Sequence, residues 1–269
     1  MEEAKLIEVL KNNPMAIAHI DNPTDEMKLF AVRKNGLALQ YIKQPTCEMQ
    51  EAAVANNARA IQFIPNPTEE MLTKAIQAGW NNLEYIPQPS DTLLKLALSQ
   101  AGWAIKYVHN PSEELQLLAI RKNYDAIKFI KKPTAAVQEQ AVKISYEALR
   151  YINLPTLAAE FIAVRNDERA VRLINDLAKK KLLEFLKINI LVLKYVTVEA
   201  DLSKEEVEQV LKEALSRQDV EEKYVRDFLN YSNLAKNRDL LPTDKLLFIY
   251  HYGSKQAKKT AVDEKLKLQ

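Results

Sequence analysis

The chain has 269 residues, of which 47% are hydrophobic and 28% charged, and its formal net charge is +2. This ordinary soluble composition excludes a disordered chain and a globally basic nucleic-acid binder. Only 4 glycines are present, too few for glycine-rich phosphate loops, and a single cysteine, Cys47, excludes an internal disulfide framework and fits a reducing compartment.

The amphipathic start MEEAKLIEVLKNN has no basic segment followed by an apolar run, which argues against a secretory signal. The most apolar stretch, Leu182–Val196, is interrupted by Glu184, Lys187, Asn189 and Lys194, so no membrane span is expected. These features predict a cytoplasmic protein with no membrane partner.

A repeat begins at once. Prolines stand at 23, 45, 67, 89, 111, 133 and 155, a spacing of 22 residues each time. Each is followed by Thr or Ser: Thr24, Thr46, Thr68, Ser90, Ser112, Thr134 and Thr156. The proline disfavours helix in the residue before it, and the hydroxyl accepts from an orphan N–H of a new helix. Acids follow in the first five units, where the helix dipole favours them. Eight residues after each proline stands an alanine (Ala31, Ala53, Ala75, Ala97, Ala119, Ala141, Ala163), then an aliphatic. A turn follows, marked by Asn35, Asn57, Gly79, Asn123 and Asp167, where a left-handed residue is expected to end the helix. A short second element carries an aliphatic, then an aromatic or Leu (Tyr41, Phe63, Tyr85, Tyr107, Phe129, Tyr151, Leu173), and closes on Ile or Val. Each unit is thus predicted to pair a helix of about ten residues with one of about six, partly 3₁₀. Neither can bury its apolar face alone, so neighbours stack.

Asn12–Ile20 (NNPMAIAHI) fits the second half of a unit, making Met1–Asn22 a degenerate first repeat. Ile188–Val196 keeps the closing pattern after the proline is lost, so 177–198 is a worn last one. The fold class expected is all-α: a right-handed-type α-solenoid of about nine 22-residue helix/short-helix repeats over 1–198 with a C-terminal helical cap or small domain over 199–269. In that cap LSKEEVEQVLKEAL opens with a capping box, Ser203 with Glu206. VEEKYVRDFLNYSNL and LPTDKLLFIYHYG read as two further helices, and the polar tail KQAKKTAVDEKLKLQ is expected to fray.

The segment AVRKNGLALQYI (Ala31–Ile42) resembles the AV..NG.AL.YI signature of short helical repeats of unknown function in bacterial and bacteriophage proteins. The resemblance runs from Met1 to about Val198 and is strongest between Pro23 and Ile152. A looser likeness is to the leucine-rich-repeat variant, which alternates an α-helix with a 3₁₀ helix. Ser145, Glu168 and Leu173 depart from the pattern. The resemblance implies a fold and a bacterial or phage origin, and it carries over no catalytic residue.

The sequence offers little catalytic material. His19 and His109 are 90 residues apart in the repeats, and His251 lies in the cap. No metal-ligand spacing, nucleophile elbow or P-loop is present, so no cofactor and no metal is expected. Cys47 follows Thr46 in a helix first turn, where a thiol pKa can fall, yet other repeats carry Asp, Glu, Ala or Leu there and it reads as a plain substitution.

Two surface columns say more. One polar position in the short helix reads Gln40, Gln62, Glu84, then Lys106, Lys128, Arg150, Arg172, Lys194. Residues 89–198 hold 17 basic against 11 acidic side chains, net +6, whereas 1–88 is net −3 (8 against 11) and 199–269 net −1 (13 against 14). The turn carries Trp80, Trp103, Tyr124 and Tyr146, with a one-residue shift at Trp103. Basic residues suit an acidic partner or a phosphate backbone; turn aromatics suit a protein hot spot or a base-stacking platform. The plain alternatives are a solvated face for the basic column and rings folded over the core for the aromatic one. The function expected is a non-catalytic protein-binding scaffold, in keeping with a phage-type protein that modulates a host enzyme or defence complex. The alternatives are nucleic-acid binding through the column starting at Lys106 and an enzyme site around Tyr250, His251 and Tyr252. Homo-oligomerisation is open.

Overall fold

In the computed structural model, residues 2–197, 200–232 and 237–266 are described. Their contacts divide the chain into two compact units, Met1–Lys132 and Pro133–Gln269. Every regular element among the described residues is a helix, with no strand.

The first unit contains α1 (Glu2–Asn12), α2 (Asp25–Lys34), α3 (Cys47–Asn56), α4 (Glu69–Ala78), α5 (Asp91–Gln100) and α6 (Glu113–Lys122). Each is followed by a six-residue 3₁₀ helix: Pro14–His19, Gly36–Tyr41, Ala58–Phe63, Trp80–Tyr85, Gly102–Tyr107 and Tyr124–Phe129. The second unit continues the alternation with α7 (Ala135–Ile144), α8 (Leu157–Asn166) and α9 (Lys179–Leu186), and with 3₁₀ helices Tyr146–Tyr151, Glu168–Leu173 and Ile190–Tyr195. It then departs from it with α10 (Lys204–Ser216), α11 (Glu222–Leu229), α12 (Lys245–Tyr252) and α13 (Lys255–Leu266). The degenerate repeats at both ends of the series therefore form their helix pairs, and the short element is wholly 3₁₀ rather than partly so.

The start signals work as the residues dictate. The hydroxyl after each repeat proline accepts from the N–H three residues on: Thr24 from Met27, Thr46 from Met49, Thr68 from Met71, Ser90 from Leu93, Ser112 from Leu115, Thr134 from Val137 and Thr156 from Ala159. α9, whose repeat has lost the motif, has Ala178 at its N-cap position with no side-chain cap and is two residues shorter. The alanine column from Ala31 to Ala163 is fully buried, and the aliphatic after each alanine is buried too. Removing side-chain bulk there lets helices of successive repeats approach closely.

The turn differs from expectation. Asn35, Asn57, Asn123 and Asp167 are not left-handed: their φ lies between −144° and −152°, and Gly79 has φ 174°. Each is at once the C-cap of the α-helix and the N-cap position of the 3₁₀ helix. The backbone N–H closes the α-helix, as Asn57 does on Ala53 O at 2.8 Å. Where the residue has a short polar side chain, that side chain can accept from the second residue beyond. Asn35 Oδ1 takes Leu37 N–H at 3.1 Å, Asn57 Oδ1 takes Arg59 N–H at 3.0 Å and Asp167 Oδ1 takes Arg169 N–H at 2.9 Å. Asn and Asp are used for their acceptor oxygen, not for tolerance of positive φ. Left-handed residues lie instead at joints between repeats, at Asn22, Asn110 and Asp176.

Two glycines answer to the same stacking. A Cβ on Gly36 would stand 2.2 Å from Ala53 O, and one on Gly102 2.2 Å from Ala119 O. The Gly36 N–H instead donates to Asn56 Oδ1 at 2.7 Å and the Gly102 N–H to Asn123 Oδ1 at 2.9 Å, both in the next repeat.

The polar tail corrects a second expectation. α13 is a full helix because Ala257, Thr260 and Ala261 form a small buried stripe, and Ser254 Oγ accepts from the Ala257 N–H at 3.2 Å. Lys267–Gln269 of that tail lie outside the described residues. The capping box forms as read: Ser203 Oγ takes Glu206 N–H at 3.2 Å while Glu206 Oε2 takes Ser203 N–H at 2.8 Å.

Candidate partner-binding surface

The short 3₁₀ helix fixes what each unit shows. With three residues per turn, its third and sixth residues share a side. The third is a buried alanine in most repeats (Ala38, Ala60, Ala104, Ala126, Ala148, Ala170), a column the sequence reading passed over. In the other three it is the half-buried Ala16, the buried Val192 and the buried Asn82, whose Nδ2 donates to Ala75 O at 2.8 Å. The sixth residue is the closing aromatic, and the fifth is the polar column. Aromatic and basic columns are therefore neighbours by construction.

In the first unit they meet directly. Trp80 opens its 3₁₀ helix, and Lys106 lies on the next one. Lys106 Nζ sits 5.5 Å from the Trp80 ring centroid and 4.5 Å from that of Tyr107. The Trp80 and Tyr107 rings are 6.3 Å apart and tilted by 43°. One repeat on, Lys128 Nζ lies 5.8 Å from Trp103 and 5.1 Å from Phe129. Trp103 Nε1–H donates to Asp125 Oδ1 at 2.8 Å, and Lys128 Nζ donates to Asp125 Oδ2 at 2.8 Å. Partial burial alone would raise the Asp125 pKa; the hydrogen bonds from Lys128 and Trp103, with the Lys128 charge, hold it below its ordinary value. Trp103 is exposed and Trp80 half-buried. Beside this ridge an open groove of 440 Å³ is lined by Lys106, His109, Gln116, Phe129, Lys131 and Lys132 among others.

The other expected site residues are placed as follows. Tyr124 is half-buried at the start of Tyr124–Phe129, and Arg150 is exposed. In the second unit Tyr146 is covered by Arg169, whose Cζ lies 5.1 Å from the ring, rather than by a member of the basic column. Arg169 also grips Asp167 through Nε at 2.9 Å and Nη2 at 2.6 Å, contacts that raise its own pKa and lower that of Asp167. Arg172 lies 5.9 Å from the Tyr195 ring. Lys194 is half-buried and ion-paired with Glu168 at 3.6 Å. The basic column is thus partly neutralised: Lys128 and Lys194 face carboxylates, whereas Lys106, Arg150 and Arg172 form no ion pair among the described residues.

Sequence reasoning singled out Trp80, Trp103, Lys106 and Lys128, which the first unit brings together. It missed Tyr107, Phe129 and Asp125 as their partners. The signal was present, since the aromatic column recurs beside the polar column, but it was not weighed as surface; Phe129 is 38% exposed. Cys47 does not behave as an activated thiol. Its Sγ lies 3.5 Å from Glu51 Oε1, and that hydrogen bond, with some burial and the Glu51 charge, raises its pKa. His251 is exposed on α12, its ring 5.5 Å from Tyr250 and 6.2 Å from Tyr252. No group of three or more metal-ligating side chains occurs among the described residues, and none of the described helices is long and apolar enough to cross a membrane. Against this geometry, no family model, no curated protein and no solved structure matches the chain.

Proposed function

We propose that the chain is a non-catalytic binding scaffold whose first unit engages an acidic protein surface through the ridge of Trp80, Trp103, Lys106, Tyr107, Lys128 and Phe129. The observation that carries this reading is Lys106: exposed, held against two aromatic rings and without an ion-pair partner among the described residues. A cation fixed on ring faces has already lost side-chain freedom, so meeting a carboxylate costs less entropy. Trp and Tyr beside it supply the apolar area typical of interface anchors. If the chain is of phage type, modulation of a host enzyme or defence complex would act through this contact.

The test is affinity capture from nuclease-treated bacterial lysate. Wild type is expected to retain a protein partner, and Trp80→Ala and Lys106→Glu each to weaken it by about tenfold or more. A second reading, nucleic-acid binding, is favoured by the convergence of Lys106, His109, Lys131 and Lys132 on one groove. It expects capture that vanishes with nuclease, an affinity falling steeply with salt, and loss on combining Lys128→Glu with Arg150→Glu.

A further inference from the structure

The last two helices carry an apolar surface that neither the repeats nor the ridge uses. α12 reads KLLFIYHY and is apolar nearly all round, a pattern that calls for cover on every side. Only Phe248 and Ile249 are buried on it. α13 turns Ala257, Thr260 and Ala261 inward, which leaves its other apolar residues outside. Leu247 is 51% exposed, Tyr250 69%, Val262 58% and Leu266 62%. With Leu246 they line an open groove of 670 Å³ between the two helices. Leu246 and Tyr250 stand one turn apart on α12, as do Val262 and Leu266 on α13, so each wall is a turn-spaced row.

The charges at the groove are lopsided. Lys258 and Lys265 line it, and neither forms an ion pair among the described residues. Lys258 Nζ lies 5.6 Å from the Tyr250 ring. Against them stands one acid, Asp244, which caps α12 by accepting the Leu247 N–H at 2.8 Å, so the lining holds two cations and one anion. An apolar floor with a net positive rim asks for an apolar ligand flanked by carboxylates. Self-association answers this poorly, because two copies face to face would gather the lysines of both into one interface.

We propose that this groove docks an amphipathic α-helix of a partner protein, with aliphatic or aromatic anchors at i, i+3 or i+4, and i+7, and flanking acidic residues that pair with Lys258 and Lys265. The site shares no residue with the aromatic ridge, so the two stand or fall separately.

The probe is a fluorescently labelled helical peptide of about 18 residues, long enough for five turns, with leucine anchors and glutamate flanks. Anisotropy against the full chain should show saturable binding. A peptide with the same anchors and lysine flanks should bind about tenfold more weakly. Leu247→Asp or Val262→Asp should lower affinity about tenfold or more, with far-UV circular dichroism and the Tm confirming an intact fold. Lys258→Glu combined with Lys265→Glu, both at exposed positions, should invert the preference between the two peptides and carries the test by itself if an apolar-face variant misfolds. Absence of binding, or equal affinity for both peptides, overturns the proposal. So does a dimer in light scattering that Leu247→Asp dissociates, which would give the groove to a second copy, or Leu247-dependent binding to phosphatidylserine-containing vesicles, which would give it to a lipid surface.

Discussion

A single residue does two jobs at several bends. Asn57 ends α3 with its backbone N–H and starts Ala58–Phe63 with its side-chain oxygen. Asn57→Ala keeps the first bond and deletes the second. It is expected to destabilise the fold by about 1 kcal/mol, read by urea denaturation; no loss would mean the acceptor is dispensable. The ridge has its own residue-scale signature. The Asp125 carboxyl is held below its ordinary value of 3.8, so the unfolded chain takes up its proton at higher pH than the folded one. The stabilisation is present above that ordinary value and is lost as pH falls through the folded one. Below about pH 5, wild type should lose stability more steeply than Asp125→Asn. Identical slopes would show that Trp103 and Lys128 do not hold the charge. Residue identity at the bend was legible in the sequence. Its reason was not, because Asn suits both a left-handed residue and an acceptor cap, and only the backbone angle separates them.

At the scale of the element, the 22-residue period, the hydroxyl caps and the buried alanines could all be read off the chain, because each is a local rule repeated seven times. What could not be read were contacts across repeats. Gly102 was not singled out in the sequence, yet it is needed because a Cβ would meet the backbone oxygen of Ala119, which cannot rotate aside. Gly102→Ala should therefore cost about 1–3 kcal/mol as overpacking, checked by thermal denaturation. α13 was misjudged for a related reason: its burial depends on two alanines and a threonine, a stripe too small to register as apolar periodicity. α12 carries a titration that reports on its docking. Lys245 Nζ donates to Leu229 O at 2.9 Å and Tyr231 O at 2.7 Å, and burial, with the nearby Arg238 charge, lowers its pKa to about 8. A lysine that sheds its proton more readily when folded adds stability as pH rises from about 8 towards its ordinary 10.5. The tyrosines whose pKa is raised by burial, Tyr224 and Tyr231, oppose this only above their ordinary 10.0. The denaturation midpoint should climb between about pH 8 and 10 in wild type and stay flatter in Lys245→Met. The same climb in both would remove Lys245 as its source.

For the whole molecule, a net charge of +2 conceals a basic stretch over 89–198. Charge counting alone suggested one continuous basic column. The described contacts break it into residues that face carboxylates and residues that stay uncompensated, and the ridge gathers its strongest group, around Lys106, in the first unit. The candidate surfaces thus differ in legibility. The ridge was half visible because its tryptophans and lysines recur with the period. The groove between α12 and α13 was invisible because nothing repeats there. The ridge also carries a built-in reporter, since Trp80 and Trp103 are the 2 tryptophans of the chain. The most direct measurement is tryptophan emission and acrylamide quenching of the full chain, titrated with the protein captured from nuclease-treated lysate. Engagement of the ridge predicts a shifted emission and a fall in quenching as the partner saturates, both moved to about tenfold or more higher partner concentration by Lys106→Glu. A partner that binds stoichiometrically while tryptophan emission and quenching stay unchanged would contradict the ridge as the binding surface.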